Sequence, residues 1–201
     1  YGAFLCDVFD EWVRHDTAHT GVQIFAETMR ALGGGEPTLC TMAPVCGRAL
    51  VVEKDGSVYS CDHYVRPEYR LGNVCTDRLA DLADAPRQLA FGRAKRDTLP
   101  VRCKACRFLL LCGGGCPKDR FPAENGEGAP YLCEGLLHFF SCAEGRLREL
   151  LRLQKSGLSP QEAQRALCEW ERRLWQNVGR NDPCLCGSGK KAKKCCWNRR
   201  P

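Results

Sequence analysis

Cysteine spacing constrains this chain more than any other feature of its sequence. Sixteen cysteines occur in 201 residues, and twelve of them form three groups separated by cysteine-poor sequence. Secreted disulfide scaffolds are usually shorter than about 100 residues and cross-linked throughout. Short spacing therefore predicts metal sites in a cytoplasmic protein. The three groups are Cys40, Cys46 and Cys61; Cys103, Cys106, Cys112, Cys116 and Cys133; and Cys184, Cys186, Cys195 and Cys196.

The other cysteines and most histidines are predicted to be structural. A lone cysteine is most often a small buried hydrophobe, and four stand alone: Cys6, Cys75, Cys142 and Cys168. Three histidines lack a partner at metal-ligand spacing: His15, His19 and His138. His63 lies two residues after Cys61 and is a candidate for lining a substrate cavity, although a histidine beside a cluster ligand more often hydrogen-bonds that ligand.

The net charge of +6 is confined to the end of the chain. Residues 179–201 carry seven basic side chains and one acidic side chain, whereas residues 1–178 carry 23 of each. A neutral body argues against a protein that wraps nucleic acid. The tail suits an anionic partner such as RNA, a ribosome or an acidic protein surface, and a solvated basic tail explains it equally well. No apolar run approaches the roughly 18 to 20 residues of a membrane helix.

Hydrophobic periodicity predicts a mixed helix and strand protein of the α+β class. Runs at 49–53 and 57–61 flank a turn at 54–56 and predict a β-hairpin that ends on Cys61. A short apolar run at 21–25 is compatible with a strand. Ser159 and Glu162 form a capping-box pattern at a helix start. Helices are predicted at 5–14, 24–32, 79–83, 87–95, 133–155 and 159–176.

The first two cysteine groups supply eight thiolates, enough for two sites of four ligands. Both iron–sulfur clusters and zinc accept four cysteines, so the residues alone leave both open. Spacing groups the first three cysteines together and Cys103, Cys106 and Cys112 together, but does not assign Cys116 or Cys133. Residues 113–115 are all glycine and suit either backbone N–H approach to cluster sulfurs or a flexible turn. The segment 102–130 is too rich in Gly, Pro and Cys to build a core, so metal must organise it.

Four segments of this sequence resemble the C-terminal half of the anaerobic sulfatase-maturating enzymes, which are radical S-adenosylmethionine proteins with a cysteine-rich SPASM domain. The resemblance extends from about Cys6 to Gln154. The segments are FDEWVRHD at 9–16, CTMAPVCGRALVVEKDGSVYSCDHYVRPEYRLGNV at 40–74, FGRAKRDTLPVRCKACRFLLLCGGGCPKDRF at 91–121 and YLCEGLLHFF at 131–140.

This resemblance implies two auxiliary [4Fe–4S] clusters with interleaved ligands. It assigns Cys40, Cys46, Cys61 and Cys116 to the first cluster, and Cys103, Cys106, Cys112 and Cys133 to the second. It also implies a reaction in which a 5′-deoxyadenosyl radical removes a Cβ hydrogen from a Cys or Ser of a sulfatase polypeptide, giving formylglycine. A carboxylate after the third ligand of the first cluster takes the thiol or hydroxyl proton, and that position is Asp62. An electron donor such as ferredoxin or flavodoxin is implied as well.

One element of the family pattern is absent from residues 1–201. No Cys-x3-Cys-x2-Cys motif, which binds the third [4Fe–4S] cluster and S-adenosylmethionine in that family, occurs in this sequence. We therefore expect this chain to be the C-terminal part of a longer enzyme and to be inactive alone. The alternatives are a non-catalytic iron–sulfur or zinc module for electron transfer or peptide binding, and a maturase of another peptide.

The tail resembles a second known element, the SEC-C zinc motif. VGRNDPCLCGSGKK at 178–191, followed by Lys193-Lys194-Cys195-Cys196, carries the spacing Cys-x-Cys-x8-Cys-Cys. So short a segment cannot hold a fold by burial, and a four-cysteine zinc site coupled to folding explains it. Such motifs mediate protein or ribosome contacts or form structural zinc caps. The predicted segments are a radical-enzyme barrel end at 1–37, a SPASM domain at 38–155, a helical linker at 156–177 and the SEC-C motif at 178–201.

Overall fold

The computed structural model describes residues 1–121 and 128–200. Part of the segment predicted to be organised by metal, at 122–127, lies outside the described residues. The elements in chain order are α1 (Gly2–Glu11), α2 (Gln23–Leu32), β1 (Val51–Val52), β2 (Ser57–Tyr59), β3 (Arg70–Asn73), α3 (Leu79–Ala83), α4 (Pro86–Asp97), α5 (Val101–Lys104), α6 (Leu109–Cys112), β4 (Arg120–Phe121), β5 (Ala129–Pro130), α7 (Cys133–Lys155) and α8 (Pro160–Gln176).

Backbone contacts divide the chain into two compact units. Tyr1–Pro37 and Leu132–Pro201 form one, here called the helical unit, and Thr38–Tyr131 forms the other, here called the cysteine-rich unit. Helices and small antiparallel sheets are both present, as the predicted α+β class requires. Among the described residues, no helix is long and apolar enough to cross a membrane. The four predicted segments, including the barrel end at 1–37, stay a prediction.

The helical unit is built on a cluster of aromatic rings from α1, α2 and α7. Phe9 packs edge-on against Phe25 with ring centroids 5.1 Å apart, and Phe25 stacks on Phe139 at 5.5 Å. All three side chains are fully buried. Aromatic rings bury large apolar areas and add a geometric preference for such pairs. These contacts join the first helices of the chain to α7, more than 100 residues later.

A buried ion-pair network lies beside these rings. Arg146 of α7 donates to Asp10 of α1 at 2.6 Å and lies 3.6 Å from Glu171 of α8. Burial alone would lower the pKa of Arg146, but the charges of Glu171 and Asp10 outweigh it and raise that pKa. Burial likewise raises the pKa of Glu171. The network fixes three helices to one another through groups that would be costly to bury unpaired.

Most predicted helices are present, and one predicted strand is wrong. The capping box of Ser159 and Glu162 starts α8, and α7 spans the residues that periodicity predicts. Gly21–Phe25 does not form a strand, because α2 begins at Gln23. The apolar residues there follow helical spacing, which buries Phe25, Thr28 and Ala31 on one face.

The cysteine-rich unit contains a three-stranded antiparallel sheet. The predicted hairpin is present as β1 and β2, with Val51 opposite Tyr59, and β3 adds to the other edge of β2. At the hairpin turn Gly56 has φ of +82°, and Asp55 accepts a hydrogen bond from the backbone N–H of Ser57 at 3.0 Å. This turn chemistry sets the register that brings the end of β2 to Cys61. A second sheet pairs β4 with β5.

Candidate metal centres

The cysteine-rich unit brings together the four cysteines predicted for the first cluster. Cys40 and Cys116 lie close enough to Cys46 to raise its pKa electrostatically, and Cys116 does the same to Cys61. These residues come from the loop before β1, the end of β2 and the turn after α6. Burial raises the pKa of Cys46. Burial also raises the pKa of Cys61, to about 11. Thiols in this state need a metal to lose their protons at neutral pH.

A fully buried lysine holds the loop that carries the first ligands. Lys95 of α4 donates from Nζ to the carbonyl oxygens of Cys40 at 2.6 Å, Thr41 at 3.1 Å and Ala43. Burial lowers the pKa of Lys95, while the thiols of Cys46 and Cys40 raise it in part. A buried cation is costly unless negative charge lies nearby, and metal-bound thiolates at this site would supply it.

Arg120 is a second cation beside these cysteines, and it has an unused donor. Its Nε donates to the carbonyl of Gly114 at 3.1 Å, while its buried Nη2 has no hydrogen-bond partner among the described residues. Burial lowers the pKa of Arg120, and the neighbouring thiols of Cys103, Cys116 and Cys112 raise it in part. A guanidinium N–H left orphaned beside thiols suits an anionic cluster whose sulfur atoms accept it.

Most cysteines of the first two groups do not gather into a compact set of ligand atoms. Among the described residues, the cysteines at 40, 46, 103, 106, 112 and 116 belong to no set of three metal-ligating atoms within 4.8 Å of one another. Thiolates bound to one tetrahedral zinc lie about 3.8 Å apart, given a Zn–S distance of about 2.3 Å. A four-iron cluster separates its thiolates more widely. A backbone N–H, that of Phe108, also points at the Cys106 sulfur at 3.4 Å, a contact that iron–sulfur sites use.

Asp62 and His63 lie at the edge of the first cysteine set. Asp62 starts a 3₁₀ turn, is exposed, and its Oδ1 accepts from the Cys61 thiol at 3.1 Å and from the His63 N–H at 3.0 Å. The hydrogen bond from Cys61 lowers the pKa of Asp62. His63 Nδ1 lies 3.4 Å from the Cys116 sulfur. His63 therefore contacts a predicted ligand, which is the placement expected for it.

The three glycines after α6 form a tightly packed turn. Residues 113–115 all have positive φ, between +58° and +74°. A Cβ on Gly113 would lie 2.2 Å from the carbonyl oxygen of Met42, and one on Gly114 would lie 2.2 Å from Leu99. The left-handed backbone and the close approach both exclude other residues. This turn sets Cys112 and Cys116 against the loop that carries the first ligands.

A cavity of about 410 Å³ lies in the cysteine-rich unit beside this site. Its walls include the packed rings of Tyr64, Tyr69 and Phe91, together with Lys95 and Arg87. Burial raises the pKa of Tyr64 to about 12. Asp62 is not among the lining residues. Cys133, the remaining predicted ligand of the second cluster, is the first residue of α7 and belongs to the helical unit.

The four tail cysteines form a much tighter group. The ligand atoms of Cys184, Cys186, Cys195 and Cys196 all lie within 4.8 Å of one another. The separation is 3.5 Å between the sulfurs of Cys186 and Cys195, and 3.6 Å between those of Cys195 and Cys196. Gly187 and Gly189 adopt positive φ between the two cysteine pairs. These separations suit one tetrahedral four-thiolate ion.

The tail packs against the rest of the helical unit. Arg199 forms ion pairs with Asp7 at 2.5 Å and Asp10 at 3.2 Å, and its carbonyl oxygen accepts from Arg14 at 2.6 Å. Trp197 packs edge-on against Trp175 of α8 at 6.2 Å. One of the basic residues counted in the tail charge is therefore neutralised within the fold. The other basic residues at 180–194 remain exposed.

The structure also gathers residues that sequence reasoning left apart. Cys6, His138 and Cys142 have ligand atoms within 4.8 Å of one another, so they do not stand alone. A hydrogen bond with Cys142 lowers the pKa of Cys6, and hydrogen bonds with Cys186 and Cys196 raise that of Cys142. His138 and Cys142 have i,i+4 spacing on α7, a signal that was present in the sequence. Cys6 is 132 residues from His138, and no local pattern links them.

Two family matches cover the two cysteine regions. Residues 40–107 match SPASM, an iron–sulfur cluster-binding domain. Residues 180–198 match the SEC-C motif.

Curated relatives extend the similarity beyond these domains. The chain is 46% identical over 142 residues to a serine-type anaerobic sulfatase-maturating enzyme of Bacteroides thetaiotaomicron, covering 70% of this chain and 34% of that protein. It is 31% identical over 150 residues to a cysteine-type enzyme of Clostridium perfringens, covering 73% of this chain and 40% of that protein. This chain thus spans a little over a third of the length of the relatives it matches.

A solved structure gives the same result in three dimensions. Native anSMEcpe with bound AdoMet and Kp18Cys peptide superimposes with a TM-score of 0.67 at 30% identity. The match covers 76% of this chain and 42% of that one.

Proposed function

We propose that this chain, which is homologous over 70% of its length to an anaerobic sulfatase-maturating enzyme, is the auxiliary-cluster and substrate-binding part of a radical enzyme of that type. The enzyme would oxidise a Cys or Ser of a sulfatase polypeptide to formylglycine. The observation that carries this proposal is the set of cysteines around the buried Lys95 and the half-buried Arg120, with Asp62 directly after Cys61. The peptide bound to anSMEcpe supports a polypeptide substrate.

Two [4Fe–4S] clusters are the metal groups proposed for the cysteine-rich unit. Their ligands would be Cys40, Cys46, Cys61 and Cys116 for the first, and Cys103, Cys106, Cys112 and Cys133 for the second. A bound [4Fe–4S] cluster supplies one-electron redox chemistry. Lys95 holds the first ligand loop through backbone carbonyls, and Arg120 offers its free N–H beside both cysteine sets. Both cations offset the negative charge of thiolate-bound clusters.

Asp62 is proposed to accept the thiol or hydroxyl proton of the target residue. Cys61 fixes its backbone, and its carboxylate is exposed beside the first cysteine set. An aspartate that only caps the following turn is the competing explanation, since Oδ1 accepts from the His63 N–H. The proton leaves as the target side chain is oxidised, so a base at this position acts on the substrate and not on S-adenosylmethionine.

S-adenosylmethionine and a third [4Fe–4S] cluster are proposed to bind to sequence outside residues 1–201, which contain no Cys-x3-Cys-x2-Cys motif. This chain alone would then lack a radical source. An electron donor such as ferredoxin or flavodoxin would reduce the clusters, and the reaction would take place in the cytoplasm.

The role of Asp62 is tested by Asp62→Asn in an enzyme that joins this chain to a radical-generating half. The amide keeps the shape of the side chain but cannot take the proton, and loss of a general base lowers rates by about 10² to 10⁴. Formylglycine, measured by mass spectrometry on a sulfatase peptide, should fall by that factor while cleavage of S-adenosylmethionine continues. Asp81→Asn, on the exposed face of α3, is the matched control. Unchanged formylglycine yield with full iron content would remove Asp62 from the mechanism.

Iron content distinguishes this proposal from a purely zinc-binding module. Protein reconstituted without oxygen should hold close to eight irons per chain, because two four-iron clusters are proposed. A chain that binds only zinc at these cysteines would exclude both clusters and any role in electron transfer.

The tail is proposed to bind Zn²⁺ and to contact an anionic partner, either a ribosome or an acidic protein surface. Five exposed basic residues between 180 and 194 support this: Arg180, Lys190, Lys191, Lys193 and Lys194. Binding carried by these charges should weaken as salt rises from 0.05 to 0.5 M, because screening shortens the reach of exposed charges. Salt-independent binding would instead indicate a structural zinc cap.

A further inference from the structure

A second group of metal-ligating side chains lies in the helical unit, away from the cysteines proposed for iron. Cys6 is on α1, and His138 and Cys142 lie one turn apart on the same face of α7. Their three ligand atoms are within 4.8 Å of one another. Both cysteines are buried and His138 is half-buried. The proposed oxidation reaction uses none of them.

This group touches the tail site through Cys142, whose thiol contacts Cys186 and Cys196. The sulfurs of Cys142 and Cys196 are 3.5 Å apart in the protein interior. That separation equals the one between Cys186 and Cys195 within the tail group. It is close to the roughly 3.8 Å expected for two thiolates on one tetrahedral zinc, given a Zn–S distance of about 2.3 Å.

The number of ligands fits two ions that share a thiolate. Two tetrahedral ions need eight ligand positions, and the two groups together provide seven residues. One thiolate that bridges both ions fills two ligand positions, so seven residues can supply all eight. We propose that Cys6, His138 and Cys142 bind a second zinc ion, with Cys196 as the fourth ligand shared with the ion of the tail site.

Metal binding explains a side chain in this group that plain burial does not. Cys6 and Cys142 as plain buried hydrophobes would account for their burial, but not for the imidazole of His138 beside them. The two-ion site therefore explains three side chains and their contact with Cys196 together.

The second ion would fasten the tail to both ends of the helical unit. Cys6 belongs to the first helix, Cys142 to α7 and Cys196 to the end of the chain. Zinc binding of this kind is coupled to folding because the ligands meet only in the native state. The second ion is thus part of the docking of the tail and not only of its internal fold.

Zinc content measured on the full chain tests this site. Cys6→Ser should lower zinc by one ion per chain relative to the unmodified chain, measured by mass spectrometry of the metal. Cys168→Ser, a half-buried cysteine on α8 outside every ligand group, should leave zinc unchanged. Zinc bound at other cysteines is the same in the variant and in the unmodified chain, so it does not affect the difference in zinc content between them. Equal zinc in Cys6→Ser and the unmodified chain would overturn the proposal.

Changes at His138 separate loss of the metal from loss of the fold. His138→Cys replaces a nitrogen ligand with a thiolate and should retain the ion, whereas His138→Ala should lose it. The result does not depend on the iron sites, so it stands or falls separately from the proposed oxidation. Identical zinc content in His138→Ala and His138→Cys, with helix content unchanged by circular dichroism, would show that His138 is not a ligand.

Discussion

The two cysteine regions of this molecule hold their sulfur atoms in different arrangements. In the helical unit, four tail sulfurs lie within 4.8 Å of one another, as one tetrahedral ion requires. In the cysteine-rich unit, most of the cysteines near the buried Lys95 and the half-buried Arg120 belong to no such compact set among the described residues. The tail cysteines, here called the tight group, lie on one short segment of the chain. The cysteines of the cysteine-rich unit, here called the wide group, are held in place by helices, a sheet and a glycine turn. The grouping of the sulfur atoms thus differs between two regions whose ligand residues are of the same type.

The largest expected effect is a reciprocal loss of metals. Cys46→Ser should remove about four irons and leave the zinc, because Cys46 is a proposed ligand of the wide group only. Cys195→Ser should remove zinc and leave the iron. Both metals are measured on the same anaerobic sample. Loss of iron from Cys195→Ser would show that the two regions are not independent.

A large loss of stability is expected in the helical unit from Arg146→Met. Removing one partner of a buried ion pair leaves the others unpaired, at a cost of about 3–5 kcal/mol, and here Asp10 and Glu171 would be left. Urea unfolding followed by circular dichroism measures the change. Arg148→Met on the same helix removes an exposed pair with Glu144 and should cost under about 1 kcal/mol. Similar costs for the two variants would contradict the buried network.

A smaller effect is expected in the cysteine-rich unit from Lys95→Met. The change leaves three carbonyl oxygens of the first ligand loop without their donor, and unsatisfied buried groups cost about 1–3 kcal/mol each, with partial relief by relaxation. We expect a net loss of about 2–3 kcal/mol in the unfolding free energy. Loss of a nearby positive charge should also make the first cluster harder to reduce, which a redox titration followed by electron paramagnetic resonance detects. Arg93→Met, exposed on α4, should change neither property.

The sequence predicts local structure well where one segment carries its own signal. The capping box at Ser159, the periodicity of α7 and the turn at Asp55 all depend on near neighbours, and all are present. Strand β3 was not predicted because Arg70–Asn73 has no alternation of apolar residues. It pairs with β2 only because the chain returns there.

Contacts between distant residues could not be read from the sequence. Lys95 lies among polar residues of α4, so its pattern indicates solvent, and only the fold shows that backbone carbonyls surround it. Cys6 and Cys142 are separated by 136 residues, and their contact depends on how α1 packs against α7. The spacing of the tail cysteines was informative because all four ligands lie within 13 residues.

The discontinuous make-up of the helical unit has a consequence for synthesis on the ribosome. Phe9 and Phe25 are made more than 100 residues before Phe139, the ring that completes their cluster. At roughly 5–20 residues per second, the first two helices wait for several seconds with aromatic surface exposed. The cysteine-rich unit is contiguous in the chain and is complete before Phe139 emerges. The first proposed cluster, whose four ligands all lie in that unit, can therefore be inserted while the helical unit is still unfinished, and α1 and α2 are the segments that a chaperone would need to shield.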